Sequence, residues 1–258
     1  MKNIRVAAII PARMDSSRYP GKPLIEIEGL PMIEHVRRRA LLCDKFSDVV
    51  IATCDNEIKD VVEKFGGRVL MTKNTHIMAS DRVAEAVENL ECSHVVNVQG
   101  DEVLVLPDDL INMIDTIKMN PNAEYLNATA PIENIYEMKD SAIVKCIISN
   151  TGNILYCSRD FSHLNLMPPF EPVKKILGIL GYSKTSVLNF SNLKRTEIEM
   201  TQSIDQSRII ENDLKLMSVP FKKGYPGIND KREEKQVRQI LDNDENQRNI
   251  LNKILTNF

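Results

Sequence analysis

Ile4-Arg5-Val6-Ala7-Ala8-Ile9-Ile10-Pro11-Ala12-Arg13-Met14-Asp15-Ser16-Ser17-Arg18-Tyr19-Pro20-Gly21-Lys22-Pro23-Leu24 is the stretch that decides the fold. Ile4–Ile10 is a near-continuous run of β-branched residues and alanine, the pattern of a strand covered on both faces, as strands of parallel sheets are. It opens directly into a loop with three cations (Arg13, Arg18 and Lys22), the hydroxyls of Ser16 and Ser17, and a glycine flanked by prolines. Arginine gives planar two-pronged contacts to a phosphate and lysine a point charge. Serine hydroxyls and backbone N–H groups can complete such an anion cradle. The glycine spacing of a Walker A loop or of a dinucleotide fingerprint is absent, so neither is invoked.

Outward from this stretch, apolar runs alternate with helical patterns. Met32–Leu42 has helical periodicity, with Ile33, Val36 and Ala40 on one face and Arg37–Arg39 on the other. Val49–Ala52 reads as a strand, Asn56–Phe65 as a helix stopped by Gly66-Gly67, Val69–Met71 as a strand, Asp81–Leu90 as a helix and Val95–Val98 as a strand. This alternation predicts right-handed crossovers and a mainly parallel, doubly wound α/β sheet. Ligands of such sheets bind beyond the carboxyl ends of the strands. The loops Pro11–Pro23, Lys73–Ser80 and Gln99–Glu102 leave those ends and are expected to meet in one crevice.

The second half is less regular. Ala142–Ser149 and Ile154–Tyr156 flank the turn-forming Asn150–Asn153 and predict a hairpin. Ile176–Tyr182 and Leu214–Val219 read as strands, Thr196–Asn212 as a helical segment and Lys231–Ile254 as one charged, amphipathic helix. The expected organisation is a single domain over residues 1–258 with a small mixed β insertion at about 136–194 that serves as a dimer arm.

The second chemical signal is Val95-Val96-Asn97-Val98-Gln99-Gly100-Asp101-Glu102. An acid just past a buried strand, with a glycine permitting an unusual turn, suits Mg²⁺, which is usually held by one or two carboxylates plus substrate phosphates.

The bulk composition excludes other classes. With 258 residues, a net charge of -3, 43% hydrophobic and 27% charged residues, the chain matches ordinary globular proteins. It has no global attraction for nucleic acid or anionic membranes. No apolar run approaches bilayer length, and the opening residues lack a signal-peptide pattern. The five cysteines show no disulfide or zinc spacing, so a cytoplasmic protein without membrane insertion is expected.

Ile-Pro-Ala-Arg-x5-Tyr-Pro-Gly-Lys-Pro-Leu at 10–24 is followed by Pro31-Met32-Ile33-x-His35-Val36, Ala52-Thr53-x-Asp55, Phe65-Gly66-Gly67, Met71-Thr72 and Val98-Gln99-Gly100-Asp101-Glu102. Together they closely resemble the CMP-Kdo synthetase (3-deoxy-manno-octulosonate cytidylyltransferase) family, densely over residues 4–102. The resemblance implies a Rossmann-like nucleotidyltransferase fold, a homodimer, Mg²⁺ as cofactor and CTP as donor. It implies transfer of CMP to an acidic 3-deoxy sugar, Kdo or Kdo-like, with release of pyrophosphate, for cell-surface polysaccharide or lipopolysaccharide synthesis. A nonulosonic acid or amino-Kdo is the alternative acceptor, and a catalytically weakened nucleotide-binding protein the remaining one.

By position, the resemblance implies catalytic roles for Arg13, Lys22 and Asp101. Nucleotide contacts are implied for Ala12, Arg13, Ser17, Lys22, Thr72, Lys73, Ser80 and Gln99, and sugar contacts for Gln99, Arg159 and Gln206. Asp101 is the implied metal ligand, with Asn229, or Asp230 beside it, where the family has a second metal-binding Asp. An uncharged amide at 229 predicts a raised magnesium requirement, relieved by Asn229→Asp. Met78-Ala79-Ser80-Asp81-Arg82 departs from the family's Ser-Gly-Thr-(Asp or Glu)-Arg. Ile176 and Leu180 replace a His and a Tyr, and their i, i+4 spacing predicts a shared, apolar strand face. That face predicts an acceptor less polar than Kdo. His35 reads as a packed or capping imidazole, and His76 as a solvated loop residue as readily as a phosphate contact.

Overall fold

The computed structural model describes residues 4–16, 18–164, 166–171 and 173–258. The chain divides into two compact units, Met1–Asp115 with Tyr225–Phe258, and Thr116–Gly224.

In the first unit, strands β1 (Val6–Ala12), β4 (Asp48–Thr53), β5 (Arg68–Met71) and β6 (His94–Val98) lie in the order β6-β1-β4-β5, all pairings parallel. The short ribbon β2 (Glu26–Ile27) and β3 (Leu30–Pro31) stands apart as its own antiparallel pair. Helices α1 (Met32–Leu41), α2 (Asn56–Lys64) and α3 (Ala79–Glu88) supply the crossovers. The parallel α/β reading therefore holds. Every residue of β1 is buried, as a strand with a neighbour on each side and helices on its faces must be.

Helix α1 is buried on both faces. The residues opposite its apolar stripe are buried too: Arg37 and Arg38 are 4% exposed and Arg39 is fully buried. Glu34, also fully buried, accepts from Arg37 Nε at 2.7 Å and from Arg38 Nε at 3.2 Å. Arg38 also donates to the Ile254 carbonyl at 2.8 Å. A charged stripe reads as a solvent face only when no later segment returns to cover it, and here three do: besides Ile254, the Phe65 carbonyl accepts from Arg37 at 3.0 Å and the Val105 carbonyl from Arg39 at 3.2 Å.

Helix α4 (Pro107–Met119) carries the chain into the second unit. There β7 (Tyr125–Pro131) pairs antiparallel with β10 (Val173–Ser183) and parallel with β11 (Leu216–Pro220). The hairpin β8 (Lys145–Ile148) and β9 (Ile154–Ser158) forms as expected, with Gly152 in the turn, and β8 joins β10. Since β10 also pairs with β7, the β-rich stretch at 136–194 is woven into the unit's sheet. Helices α5 (Ile135–Lys139) and α6 (Lys184–Asn192) complete this stretch.

The helical segment at 196–212 is two short helices, α7 (Glu197–Gln202) and α8 (Gln206–Glu211), divided at Ser203 with φ 54. Buried Glu199 on α7 takes the guanidinium of Arg208 on α8 through Nε at 2.8 Å and Nη2 at 2.5 Å, which holds the pair together. The register of β10 against β7 shifts between Ile176 and Leu180. The pleat is interrupted there, so their spacing no longer guarantees one shared face: Leu180 is 4% exposed and Ile176 only partly buried.

Returning to the first unit, the expected single terminal helix is two, α9 (Lys231–Asn243) and α10 (Glu245–Thr256). Asp244 breaks it: its Oδ1 accepts from Gln247 N at 3.1 Å as an N-cap, and its Oδ2 accepts from the Tyr225 hydroxyl at 2.8 Å. Val237, Leu241, Ile250, Leu251 and Ile254 from these helices close a core with Ile27, Leu30, Met32, Val103 and Leu104.

Candidate functional site

A cavity of about 260 Å³ opens at the carboxyl ends of β1 and β6. Its wall is drawn from Pro11–Pro23, from residues 76–79 with Arg82, from Gln99, Gly100 and Asp101, and from Asn229. The three loops expected to meet do so, with a fourth segment that the parallel pattern did not indicate.

Two glycines make the meeting possible. Gly21 has φ 73, in the left-handed region, and turns the loop so that Lys22 begins a short 3₁₀ turn. At Gly100 a Cβ would stand 2.7 Å from the Pro11 carbonyl oxygen, so only glycine lets the chain leaving β6 pass so close to the end of β1. The first loop is closed on itself by Gly21 N donating to the Met14 carbonyl at 2.9 Å. It is pinned to the end of β4 by Met14 N donating to Asp55 Oδ2 at 2.8 Å.

At the centre, Lys22 Nζ donates to Asp101 Oδ2 at 2.7 Å and to the Ile228 carbonyl at 2.9 Å. The Asp101 backbone carbonyl accepts from Val103 N at 2.8 Å and Ile228 N at 3.1 Å, which fixes the residue between two segments. Arg13 is exposed on the wall and is held by no hydrogen bond among the described residues. Arg18 donates from Nη2 to Asn229 Oδ1 at 2.8 Å. Among the described lining residues Asp101 is the single carboxylate, against Arg13, Arg18, Lys22 and Arg82.

Arg82 is a site residue that the sequence reading did not single out, although the motif it ends was in view. It is 3% exposed, donates to Thr72 Oγ1, and has Cys54 Sγ 3.4 Å from Nη2. An arginine in the first turn of a helix ordinarily faces solvent, so its burial was not legible from spacing. His76 also lines the wall, its Nε2 bonded to Glu85 Oε2, which accepts from Lys73 N at 2.9 Å as well. Partial burial acts to raise the Glu85 pKa, but the bonds from His76 and Lys73 prevail and hold it below its usual value. His35 is a packed imidazole, fully buried, with Nε2 2.7 Å from the Ile27 carbonyl oxygen.

Of the residues singled out in the sequence, Ala12, Arg13, Lys22, Gln99, Asp101 and Asn229 line the cavity. Ser17 lies outside the described residues. Thr72, Lys73 and Ser80 do not line the cavity: Thr72 braces Arg82, Lys73 is exposed and Ser80 is buried. Asp230 is off the wall too: its Oδ1 accepts from Arg232 N at 2.8 Å and Glu233 N at 3.0 Å, capping α9. In the second unit, Arg159 clasps the carbonyls of Ser141, Ala142, Gln202 and Ser203, and Gln206 Nε2 donates to Asn127 Oδ1 at 2.7 Å.

A parallel α/β sheet whose strand ends frame guanidinium and ammonium groups around one carboxylate belongs with the nucleotidyltransferases. The profile of the cytidylyltransferase family matches residues 7–216, and the chain belongs to that family: it is a CTP-dependent nucleotidyltransferase. The 8-amino-3,8-dideoxy-manno-octulosonate cytidylyltransferase of Shewanella piezotolerans is 37% identical over 218 residues, 83% of this chain and 89% of that protein. The 3-deoxy-manno-octulosonate cytidylyltransferase of Geobacter metallireducens is 32% identical over 229 residues, 84% of this chain and 89% of that one. A solved structure of CMP:2-keto-3-deoxy-manno-octonic acid synthetase complexed with CTP superposes with a TM-score of 0.85 at 29% identity, over 92% of this chain and 98% of that one.

Proposed function

We propose that this enzyme transfers CMP from CTP to an acidic 3-deoxy-octulosonate sugar, Kdo or Kdo-like, and releases pyrophosphate. The observation that carries the reading is the cavity wall at the strand ends, where four cations surround a single carboxylate. Relatives similar over more than four-fifths of the chain are named for this reaction on Kdo or its amino analogue.

In-line attack of a sugar hydroxyl on the α-phosphorus needs the triphosphate held still and the charge on the leaving pyrophosphate matched by fixed cations. Arg13, Arg18 and Lys22 supply that field, and Arg82, buried and braced by Thr72, gives a cation that cannot swing away. Gln99, at the end of β6, lies where an amide can orient the reacting groups.

The wall fits Mg²⁺: Asp101 is a hard oxygen donor on the cavity, and magnesium commonly takes one or two carboxylates with substrate phosphates. Asp101 would hold the ion, which when bound neutralises charge developing on the phosphates and acidifies the attacking hydroxyl. Among the described residues no group of three or more His, Cys, Asp or Glu could hold a metal ion by itself.

A homodimer and a cytoplasmic location belong to the same proposal, as does a product destined for cell-surface polysaccharide or lipopolysaccharide. The exposed apolar residues Leu155, Tyr156, Leu164 and Met167 support the dimer, and the free cysteines support a reducing compartment. No helix among the described residues is long and apolar enough to cross a membrane.

The test is pyrophosphate release from each of the four nucleoside triphosphates, with Kdo, its 8-amino-3,8-dideoxy analogue and a nonulosonic acid as acceptors. Release from CTP with a 3-deoxy-octulosonate supports the reading. Silence with every such sugar, or equal release from all four triphosphates, ends it.

A further inference from the structure

Three residues of the phosphate-loop stretch 18–22 are each bonded to the segment 228–234. Arg18 Nη2 donates to Asn229 Oδ1 at 2.8 Å, the Tyr19 hydroxyl to Glu234 Oε2 at 2.7 Å, and Lys22 Nζ to the Ile228 carbonyl at 2.9 Å. The segment is itself fixed: Glu233 Oε2 accepts from Asn229 N at 2.5 Å and from Asp230 N at 3.2 Å, and Asp230 caps α9. Glu234 is further held by Arg238 Nη2 at 2.7 Å. Loop and helix start are therefore one braced assembly, with Arg18 and Asn229 both on the cavity wall.

The chemistry of position 229 matters here. An amide oxygen orients a guanidinium through one hydrogen bond and leaves its positive charge uncancelled, whereas a carboxylate would form an ion pair and cancel much of it. Asp230, the neighbouring acid, lies close enough to feel Arg18, but its carboxylate is turned to the amides at the start of α9. Arg18 is thus aimed by a neutral partner in a cavity with a single acid.

We infer that Asn229 is a positioning residue that aims the Arg18 guanidinium at the terminal phosphates of the nucleotide, and that its neutrality is what keeps Arg18 available to them. The inference deepens the CTP reading above and rests on it. It reverses the expectation drawn from the sequence, in which Asn229 stood as a weakened metal ligand and Asn229→Asp was to restore it.

The experiment is calorimetric binding of CTP, and of CMP as the control lacking the terminal phosphates, to wild type, Asn229→Ala, Asn229→Asp, Arg18→Ala and the Arg18→Ala/Asn229→Ala pair. Each titration is run in EDTA and in magnesium, with a thermal melt to show that each variant is folded. Arg18→Ala is expected to weaken CTP about tenfold, the scale of one hydrogen bond to a charged group. Asn229→Ala should weaken it by less than that, and the double variant should match Arg18→Ala alone, because residues acting as a unit are not additive. Asn229→Asp should bind CTP at least as poorly as Asn229→Ala in EDTA, with CMP binding unmoved throughout. Tighter CTP binding by Asn229→Asp, or additive single effects, overturns the inference. Wild type that binds CTP while every Asn229 variant matches it also sinks the inference and leaves the CTP reading standing. Wild type that binds no CTP under either condition removes the CTP reading itself.

Discussion

The Lys22 ammonium lies 2.7 Å from Asp101 Oδ2, joining the loop after β1 to the loop after β6 on the cavity wall. Both side chains are mostly buried, at 16% and 23% exposure, so each is the other's principal counter-charge until a nucleotide arrives. Among the described lining residues the pair unites the single carboxylate with a cation of the loop after β1. Asp101→Asn should therefore lower kcat by at least about a hundredfold, several kcal/mol of transition-state stabilisation, while the protein stays folded. Steady-state pyrophosphate release at saturating magnesium checks it; near-normal turnover would take Asp101 out of the catalytic role.

Arg13→Ala and Lys22→Ala should each weaken CTP binding or slow turnover, and Lys231→Ala, an exposed residue off the wall, should do neither. Removing one partner of a desolvated charged contact costs about 2–5 kcal/mol, and the exposure of Arg13 places it at the lower end. The measurement is kcat and KM for CTP across the three variants. Cradle variants that behave like the control would show that the loop is only a solvated basic turn.

Gly100→Ala tests the packing that brings β1 and β6 together. The added Cβ meets the Pro11 carbonyl oxygen at 2.7 Å, and that atom is backbone, which cannot rotate out of the way. Overpacking of this kind costs about 1–3 kcal/mol, and here it also displaces Asp101. A lowered denaturation midpoint together with reduced turnover is expected. Full activity with an unchanged midpoint would contradict the close approach.

His35 should make stability depend on pH. Burial pushes its pKa from 6.5 down to about 4; the bond to the Ile27 carbonyl pulls it back up in part, and the charges of Arg39, Arg38 and Arg238 add smaller downward contributions. Because the folded value lies below the unfolded one, the unfolded chain takes up the proton first as the solution is acidified. The contribution is complete above about pH 6.5 and is lost as pH falls towards about 4, a total of about 3 kcal/mol. Urea midpoints of wild type and His35→Gln across this window should converge as the pH drops. A gap that stays constant with pH would contradict the burial assignment.

The second unit depends on a buried ion pair. Glu199 is fully buried and Arg208 is 2% exposed, with Arg208 also packed over the Phe190 ring at 4.3 Å. Glu199→Gln keeps the shape but leaves the guanidinium without its counter-charge, and breaking such a pair costs about 3–5 kcal/mol. Chemical denaturation followed by hydrogen exchange in α7 and α8 should show the loss there first. Unchanged protection of both helices would mean that the pair is not what holds them.

Much was legible in the sequence where the physical cause is local. The β-branched run at the start of β1, the helix stop at Gly66-Gly67 and the turn at Asn150–Asn153 specify their own backbone, and the alternation of periods specified a parallel sheet with its site at the strand ends. The placement of Arg13, Lys22 and Asp101 on one cavity wall followed because loops leaving the carboxyl ends of neighbouring parallel strands converge. Other features depended on what lies across the fold. The burial of Arg37, Arg38 and Arg39 is decided by distant partners, the carbonyls of Phe65, Ile254 and Val105, and the break between α9 and α10 at Asp244 was hidden because an aspartate continues a charged helical pattern as well as it caps a new helix. The register shift between Ile176 and Leu180 is a property of the pairing with β7, not of β10. Asn229 gave no sign of its bond to Arg18, because a hydrogen bond between residues 211 positions apart leaves no periodicity in a chain. Periodicity and strand-end position belong to the sequence; the partners that neutralise, orient or bury a charge belong to the tertiary structure, because charge and hydrogen bonding act through space.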